Sequence, residues 1–386
     1  MQARQQVAAT GRTSTPPETH LYWLDWLRFI AAFMVVASHA RGGNWVEWAR
    51  LTETSQTSLA AAFFAATRAG TEWVLVFFVL SGFLVGGKVI ERLQNGCFSL
   101  RDYAIDRLSR IWVPLLPALA WSAAVAFWVG KPASWASLFG NILGLQVVVC
   151  KCFAENIPLW SLAYEVWFYF LAGCAGVWVT KRQLSRVLAT LGVALVLLVF
   201  TELRTVFLSA WVLGALTYWM RKHPPRRWVI SAAVALILLG YASSQVRSAT
   251  VSVDTSAWLA LTPTTDVAIL MLSLGMALAL PVLTRLRPSS SLGERINHIG
   301  QHLAAFSYTL YLTHYPALYV WEHYMPGRHT QLDGGSLVWY ALRVLSCVVF
   351  AWLFYLPFEK QTAAVRKWLR RLWSSGTTRP RGPADD

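Results

Sequence analysis

The stretch Leu21–Ala40, LYWLDWLRFIAAFMVVASHA, decides how this chain is read. It is apolar over a length that crosses a bilayer as a helix, yet it contains Asp25, Arg28 and His39. Arg28 and His39 are eleven residues apart. At about 100° per residue this is roughly three turns plus 20°, so both side chains share one helix face. At about 1.5 Å per residue they lie roughly 16 Å apart along the axis. Ionisable groups inside a span are costly and rare, which makes the pair a functional candidate.

The whole chain fits that setting. Of its 386 residues 56% are hydrophobic and only 14% charged. Soluble domains run at about 45–50% apolar and about 25% charged, so the class is a polytopic membrane protein. The expected fold is all-α: a bundle of about ten spans at residues 21–41, 67–88, 111–130, 159–179, 185–201, 204–220, 228–246, 258–284, 301–323 and 336–357. The stretch 138–149 is too short to span and reads as re-entrant or interfacial. The expected organisation is a polar cytoplasmic tail over 1–20, a transmembrane domain over 21–360 and a basic cytoplasmic tail over 361–386, its end from Ser374 on disordered. Residues 1–20 lack the charged-then-apolar pattern of a cleaved signal, so the first span is expected to be an uncleaved anchor.

The net charge of +15 does not point to nucleic acid, because the basic residues sit in short loops and tails between spans. With the N-terminus in the cytoplasm, the inside loops hold Lys88, Arg92, Arg101, Arg107 and Arg110, then Lys181, Arg182 and Arg186, then Arg221, Lys222, Arg226 and Arg227. Both termini then fall inside, Arg28 lies in the cytoplasmic half of the first span, and His39 lies towards the outside. The five cysteines, Cys97, Cys150, Cys152, Cys174 and Cys347, do not form a disulfide framework.

Several residues carry chemistry. His39 takes and returns a proton near neutral pH, which suits a general base acting on a hydroxyl; the alternative is a packing histidine. Arg28 suits an anionic group arriving from the cytoplasm; the alternative is an ion pair with Asp25 three residues earlier. Ser81 and Gly82, in the segment Phe77–Phe83, permit hydrogen bonding and close backbone approach. Arg107 and Arg110 suit a phosphate, and the positive-inside rule explains them equally well. Ser161, Glu165 and Tyr169 share a helix face, and an isolated Glu165 needs a partner or a task. His314 falls near mid-membrane in the run from Ser307. His298 and His302 have metal-like spacing but no third ligand in view, so no metal site is expected.

Five blocks in order make the chain resemble the integral-membrane acyltransferase family 3. They are Asp25, Arg28 and His39; Phe77, Phe78, Ser81, Gly82 and Phe83; Arg107, Arg110 and Pro114; Trp160, Ser161, Leu162 and Glu165; and Ser307, Tyr308, Tyr311, Leu312 and His314. The likeness runs from Leu24 to about Glu359, and the absence of a following hydrolase-like segment resembles the stand-alone form.

The resemblance implies transfer of an acyl group, most readily acetyl, from acyl-coenzyme A to a hydroxyl of a cell-envelope glycan or glycolipid. It implies His39 as general base and Glu165 as a second catalytic group. Arg28, Arg107, Arg110, Ser81 and Gly82 would hold the donor, while Asp25, Phe78, Trp160, Ser161, Tyr308, Tyr311 and His314 would support the site. Acetyl-coenzyme A enters as co-substrate, with no permanently bound cofactor. The expected setting is the inner or plasma membrane, with membrane lipid and envelope-biosynthesis proteins as partners and no nucleic acid. The rival expectation is a transporter or flippase for an envelope saccharide or small molecule, whose buried charges line a pathway.

Overall fold

The computed structural model describes residues 21–180, 183–249, 264–288 and 290–375. The N-terminal tail 1–20, Lys181 and Arg182, the start of the expected span 258–284 and the chain from 376 onward lie outside the described residues. Among the described residues the structure is helical, with two isolated β-bridges, Trp45–His329 and Gln146–Cys150, and no strand.

The helices are α1 (Tyr22–Asn44), α2 (Ser58–Arg68), α3 (Gly70–Ser81), α4 (Gly87–Gln94), α5 (Leu100–Val129), α6 (Trp135–Ile142), α7 (Trp160–Thr180) and α8 (Gln183–Glu202). They continue as α9 (Thr205–Thr217), α10 (Arg227–Ala249), α11 (Thr265–Leu283), α12 (Ser291–Ala305), α13 (Ser307–Tyr324), α14 (Gly334–Tyr355) and α15 (Thr362–Ser375). A π-helical turn over Gly82–Gly86 joins α3 to α4.

Among the described residues, seven helices are long and apolar enough to cross a membrane: Ser58–Gln94, Leu100–Val129, Ile157–Thr180, Gln183–Glu202, Arg227–Arg247, Thr265–Leu283 and Gly334–Trp373. Each corresponds to one of the expected spans. The other three expected spans differ from them for physical reasons. α1 carries Asp25, Arg28, His39 and Arg41, which lower its hydropathy. α9 has 13 residues, about 20 Å of helix. The stretch 301–323 breaks at Phe306, so its first residues belong to α12, an amphipathic helix with Glu294, Arg295, His298 and His302.

α1 is the central strut. It packs on α3, α12, α13 and α14, and its buried face is small: Ala31, Ala32, Val35, Val36, Ala37 and Ala40. Short side chains let four neighbours approach one helix, the packing mode of membrane interiors, where water supplies no drive for association. The outer helices α8, α10 and α14 instead expose Leu188, Leu191, Leu195, Leu238, Leu239, Leu345 and Trp352, as a surface facing lipid tails requires. The segment 138–149 forms the end of α6 and a tight loop. The Trp112 and Trp167 indoles hold it through the Ile142 and Gly144 carbonyls, at 2.9 and 3.0 Å. Exposed Trp135, Phe139 and Leu143 place apolar side chains along its outside.

α9 crosses α3 and the π-helical turn with backbone close to backbone. A Cβ at Gly82 would lie 1.9 Å from the Trp211 carbonyl oxygen, and one at Gly214 would lie 2.1 Å from that of Val79. Gly82→Ala therefore forces the two helices apart. It is expected to cost about 1–3 kcal/mol, as overpacking does, read as a lower thermal midpoint of the purified protein. Gly334→Ala, where a Cβ meets nothing within 4 Å, leaves the midpoint unchanged.

Candidate active site

α1 carries the two ends of the site. Arg28 lines a first cavity of about 430 Å³, together with Lys88, Arg107, Arg110, Glu165, Tyr169 and Tyr308. His39 lines a second cavity of about 360 Å³ at the other end of the helix, with Arg41, Trp45, Glu47, Tyr315, Tyr319, Glu322 and Arg328. Between them lies a chamber of about 120 Å³ bounded by His39, Trp160 and Tyr311. Tyr311 also lines the first cavity, and His39 also lines the second, so the three spaces follow one another along α1.

The first cavity is cationic. Its four basic side chains, Arg28, Lys88, Arg107 and Arg110, face one carboxylate, Glu165. The Arg107 guanidinium lies 5.2 Å from the Tyr169 ring centre, and that of Arg110 lies 5.1 Å from the Tyr308 ring centre. Such stacking holds a guanidinium in place while leaving its N–H edge available. Arg28 and Asp25 approach to 3.9 Å, at the outer limit of an ion pair. Arg28 thus satisfies both sequence readings: it is loosely paired and it lines the cavity. The Tyr308 hydroxyl is buried with no hydrogen-bond partner among the described residues, and Tyr308 lines this cavity.

Arg110 has a stronger partner. Its Nη1 lies 2.6 Å from Oε1 of Glu359, which is 4% exposed. The other oxygen of Glu359 accepts from the Thr309 N–H at 3.0 Å and the Thr309 hydroxyl at 2.7 Å. Glu359 thereby ties the end of the last apolar segment to α5 and α13. Sequence reasoning missed both Glu359 and Lys88. A carboxylate standing alone at the head of a basic tail was the available signal for Glu359.

Glu165 does not reach His39. Its carboxylate accepts a 2.5 Å hydrogen bond from the Tyr169 hydroxyl one turn on, and it lines the first cavity. The group on His39 is His314, whose Nε2 lies 2.9 Å from His39 Nδ1. His314 is fully buried, and its Nδ1 lies 2.8 Å from the Tyr311 carbonyl and 3.1 Å from that of Leu310. Carbonyls only accept, so His314 carries its proton on Nδ1, and its Nε2 is an acceptor in the neutral ring. His39 must then donate through Nδ1. Its own Nε2 is left with a lone pair, the tautomer that a general base requires.

The remaining expected residues divide between lining and packing. The Ser161 hydroxyl lies 2.6 Å from that of Tyr311, which donates to the Pro158 carbonyl at 2.7 Å. This locks the Tyr311 ring where the first cavity meets the chamber. Trp160 lines the chamber and packs with Phe78, which lines the first cavity. Ser81 also lines the first cavity and accepts from the Trp211 indole at 3.3 Å. Gly82 was expected to bind donor, but it faces the α9 backbone and serves helix packing. His298 and His302 meet edge to face, and among the described residues no group of three or more His, Cys, Asp or Glu converges.

A family model described as an acyltransferase domain matches residues 21–356. An uncharacterized protein of Haemophilus influenzae is 28% identical over 149 residues, covering 35% of this chain and 60% of that protein. The chain thus spans less than two thirds of the length of the curated relative it matches. No solved structure matches.

The clamp at Glu359 is testable by stability alone. Glu359→Ala leaves the half-buried Arg110 and the buried Thr309 without their acceptor and is expected to cost about 2–3 kcal/mol, below the fully buried case. Replacing both Arg110 and Glu359 by Met should recover the part of that loss due to Arg110, while Thr309 still lacks its acceptor. Thermal midpoints of the single and double variants check it.

Proposed function

The chain belongs to acyltransferase family 3, and from that premise we propose that it is an O-acetyltransferase of the cell-envelope membrane. It takes acetyl from acetyl-coenzyme A in the cytosol and places it on a hydroxyl of an envelope glycan or glycolipid. One observation carries this reading: a cationic cavity and a histidine hydrogen-bonded through Nδ1 stand at opposite ends of one helix, and the chamber at the histidine shares Tyr311 with the cationic cavity.

The membrane arrangement follows from charge. The seven apolar helices are joined by α1, α9 and α13 as further spans, ten in all, because these three lie among them in the bundle. Most lysines and arginines then fall on one side together with both chain ends, which is the cytoplasmic side of an inner or plasma membrane. The first cavity opens towards the cytosol and the second towards the outside.

The donor is an anion with a long arm. Arg28, Lys88, Arg107 and Arg110 hold its phosphates by charge-assisted hydrogen bonds. Its arm extends along α1 past Tyr308 and Tyr311, over the roughly 16 Å from Arg28 to His39. The thioester then sits in the chamber. The acceptor enters from the second cavity, where Trp45, Tyr315 and Tyr319 offer ring faces and Glu47, Glu322, Arg41 and Arg328 offer hydrogen bonds. This is a lining suited to a sugar.

His39 Nε2 takes the acceptor hydroxyl proton as the oxygen attacks the thioester carbon. The developing imidazolium is steadied through Nδ1–H by the His314 lone pair. The tetrahedral intermediate collapses, the carbon–sulfur bond breaks, and the thiolate recovers the proton from His39. The products are the acetyl ester and free coenzyme A. Glu165 and Tyr169, on the arginine side of Tyr311, organise the donor passage and do not take the proton.

Purified protein, labelled acetyl-coenzyme A and an envelope-glycan extract test the reading. His39→Ala should lower transfer by about 10²–10⁴-fold while coenzyme A binding persists. Arg28→Gln and Arg107→Gln should raise the donor KM and leave transfer at saturating donor close to wild type. Undiminished transfer by His39→Ala would rule out the general-base role.

A further inference from the structure

The chamber beside His39 contains a cation that the mechanism above does not use. Arg68, the last residue of α2, lines it together with His39, Ser38, Thr71 and Trp160. Local geometry brings it there. The helix breaks at Ala69 (φ −77°, ψ 39°) and α3 restarts at Gly70. A Cβ at Gly70 would lie 2.9 Å from the Ser38 hydroxyl, so only glycine lets the break press against α1 one residue from His39.

Arg68 is half-buried and forms no ion pair among the described residues. The carboxylate one turn on, Glu72, hydrogen-bonds the Ser244 hydroxyl. The neighbouring arginine, Arg204, is paired with Asp266. The carboxylates that act on Arg68, Glu72 and Glu47, stand beyond ion-pair distance, so its charge is only partly balanced; ionisable groups held inside a membrane bundle mark sites of function.

The chemistry at His39 requires such a group. When the acceptor oxygen adds to the thioester carbon, the carbonyl π pair moves to its oxygen, which becomes an anion. Inside the bundle that charge needs a positioned donor. The nearby polar groups already described cannot serve. His314 Nε2 is an acceptor, the Tyr311 hydroxyl donates to Pro158, and the Ser161 hydroxyl serves Tyr311. Among the described residues lining the chamber, Arg68 is the guanidinium.

We infer that Arg68 is a catalytic residue that holds the thioester oxyanion during transfer at His39, an inference that rests on the acyl-transfer reading above. Its guanidinium donates two parallel N–H groups to the oxygen as the carbon–oxygen bond forms. It releases them when the carbonyl reforms and the carbon–sulfur bond breaks. Thr71 and the uncapped first turn of α3 add donors at the same wall of the chamber.

The test uses full-length protein in lipid nanodiscs, acetyl-coenzyme A and an envelope-glycan extract. Arg68→Gln should lower kcat by about 10²–10³-fold, the loss seen when an oxyanion donor is removed. The donor KM should stay within about twofold, because the interaction exists only in the transition state. Arg68→Lys keeps the charge without the fork and should fall between the two. If Arg68→Gln has a lowered thermal midpoint, Arg68→Lys at wild-type midpoint decides, with an expected kcat loss of at least about tenfold. A kcat equal to wild type in the deciding variant, with His39→Ala inactive, overturns the role of Arg68 and leaves the acyl-transfer reading standing. No transfer by the wild-type protein overturns both.

Discussion

The hydrogen bond from His39 Nδ1 to His314 Nε2, 2.9 Å long, organises the centre of this protein. It joins α1 to α13, and it satisfies two imidazoles that would otherwise be orphaned among apolar helices. It also has a direction. The Tyr311 and Leu310 carbonyls fix the proton on His314 Nδ1, so the pair leaves a single free lone pair, on His39 Nε2. Backbone geometry in α13 thereby sets the reactivity of a side chain in α1. The same turn of α13 supplies Tyr311, whose hydroxyl, locked on Pro158, stands at the junction of chamber and first cavity.

The two ends of α1 differ in how their charge is held. At the Arg28 end, arginines are stacked on tyrosine rings or clamped by Glu359, so their positions are fixed before any ligand arrives. Preorganised cations lose little entropy on binding an anion. At the His39 end, the charges are mixed and aromatic rings lie between them. The asymmetry gives the helix a polarity: cationic at one end, mixed in charge and aromatic at the other.

Much of this was legible in the sequence, and particular residues show why some was not. Apolar length alone located seven long helices, because lipid demands continuous hydrogen-bonded backbone over a fixed thickness. The break at Phe306 was hidden, since α12 and α13 abut without a glycine, a proline or a charge run between them. The shared face of Arg28 and His39 follows from helical period, but the His314 contact spans 275 residues of sequence and has no local signature. For Glu165 the sequence left a partner or a task open, and the structure supplies a partner, the Tyr169 hydroxyl one turn away on the same helix face. Gly82 carried the right signal, close backbone approach, with a neighbouring helix as the object that approaches.

The proposed function puts the donor's phosphates at the arginine end of α1 and its reactive carbonyl beside His39. A cryo-electron microscopy structure with a non-cleavable thioether analogue of acetyl-coenzyme A tests it most directly. The account predicts phosphate density among Arg28, Arg107 and Arg110, an extended arm passing Tyr311, and the analogue's carbonyl carbon facing His39 Nε2. Phosphates bound in the second cavity among Arg41 and Arg328, or an arm that never reaches the chamber, would contradict it.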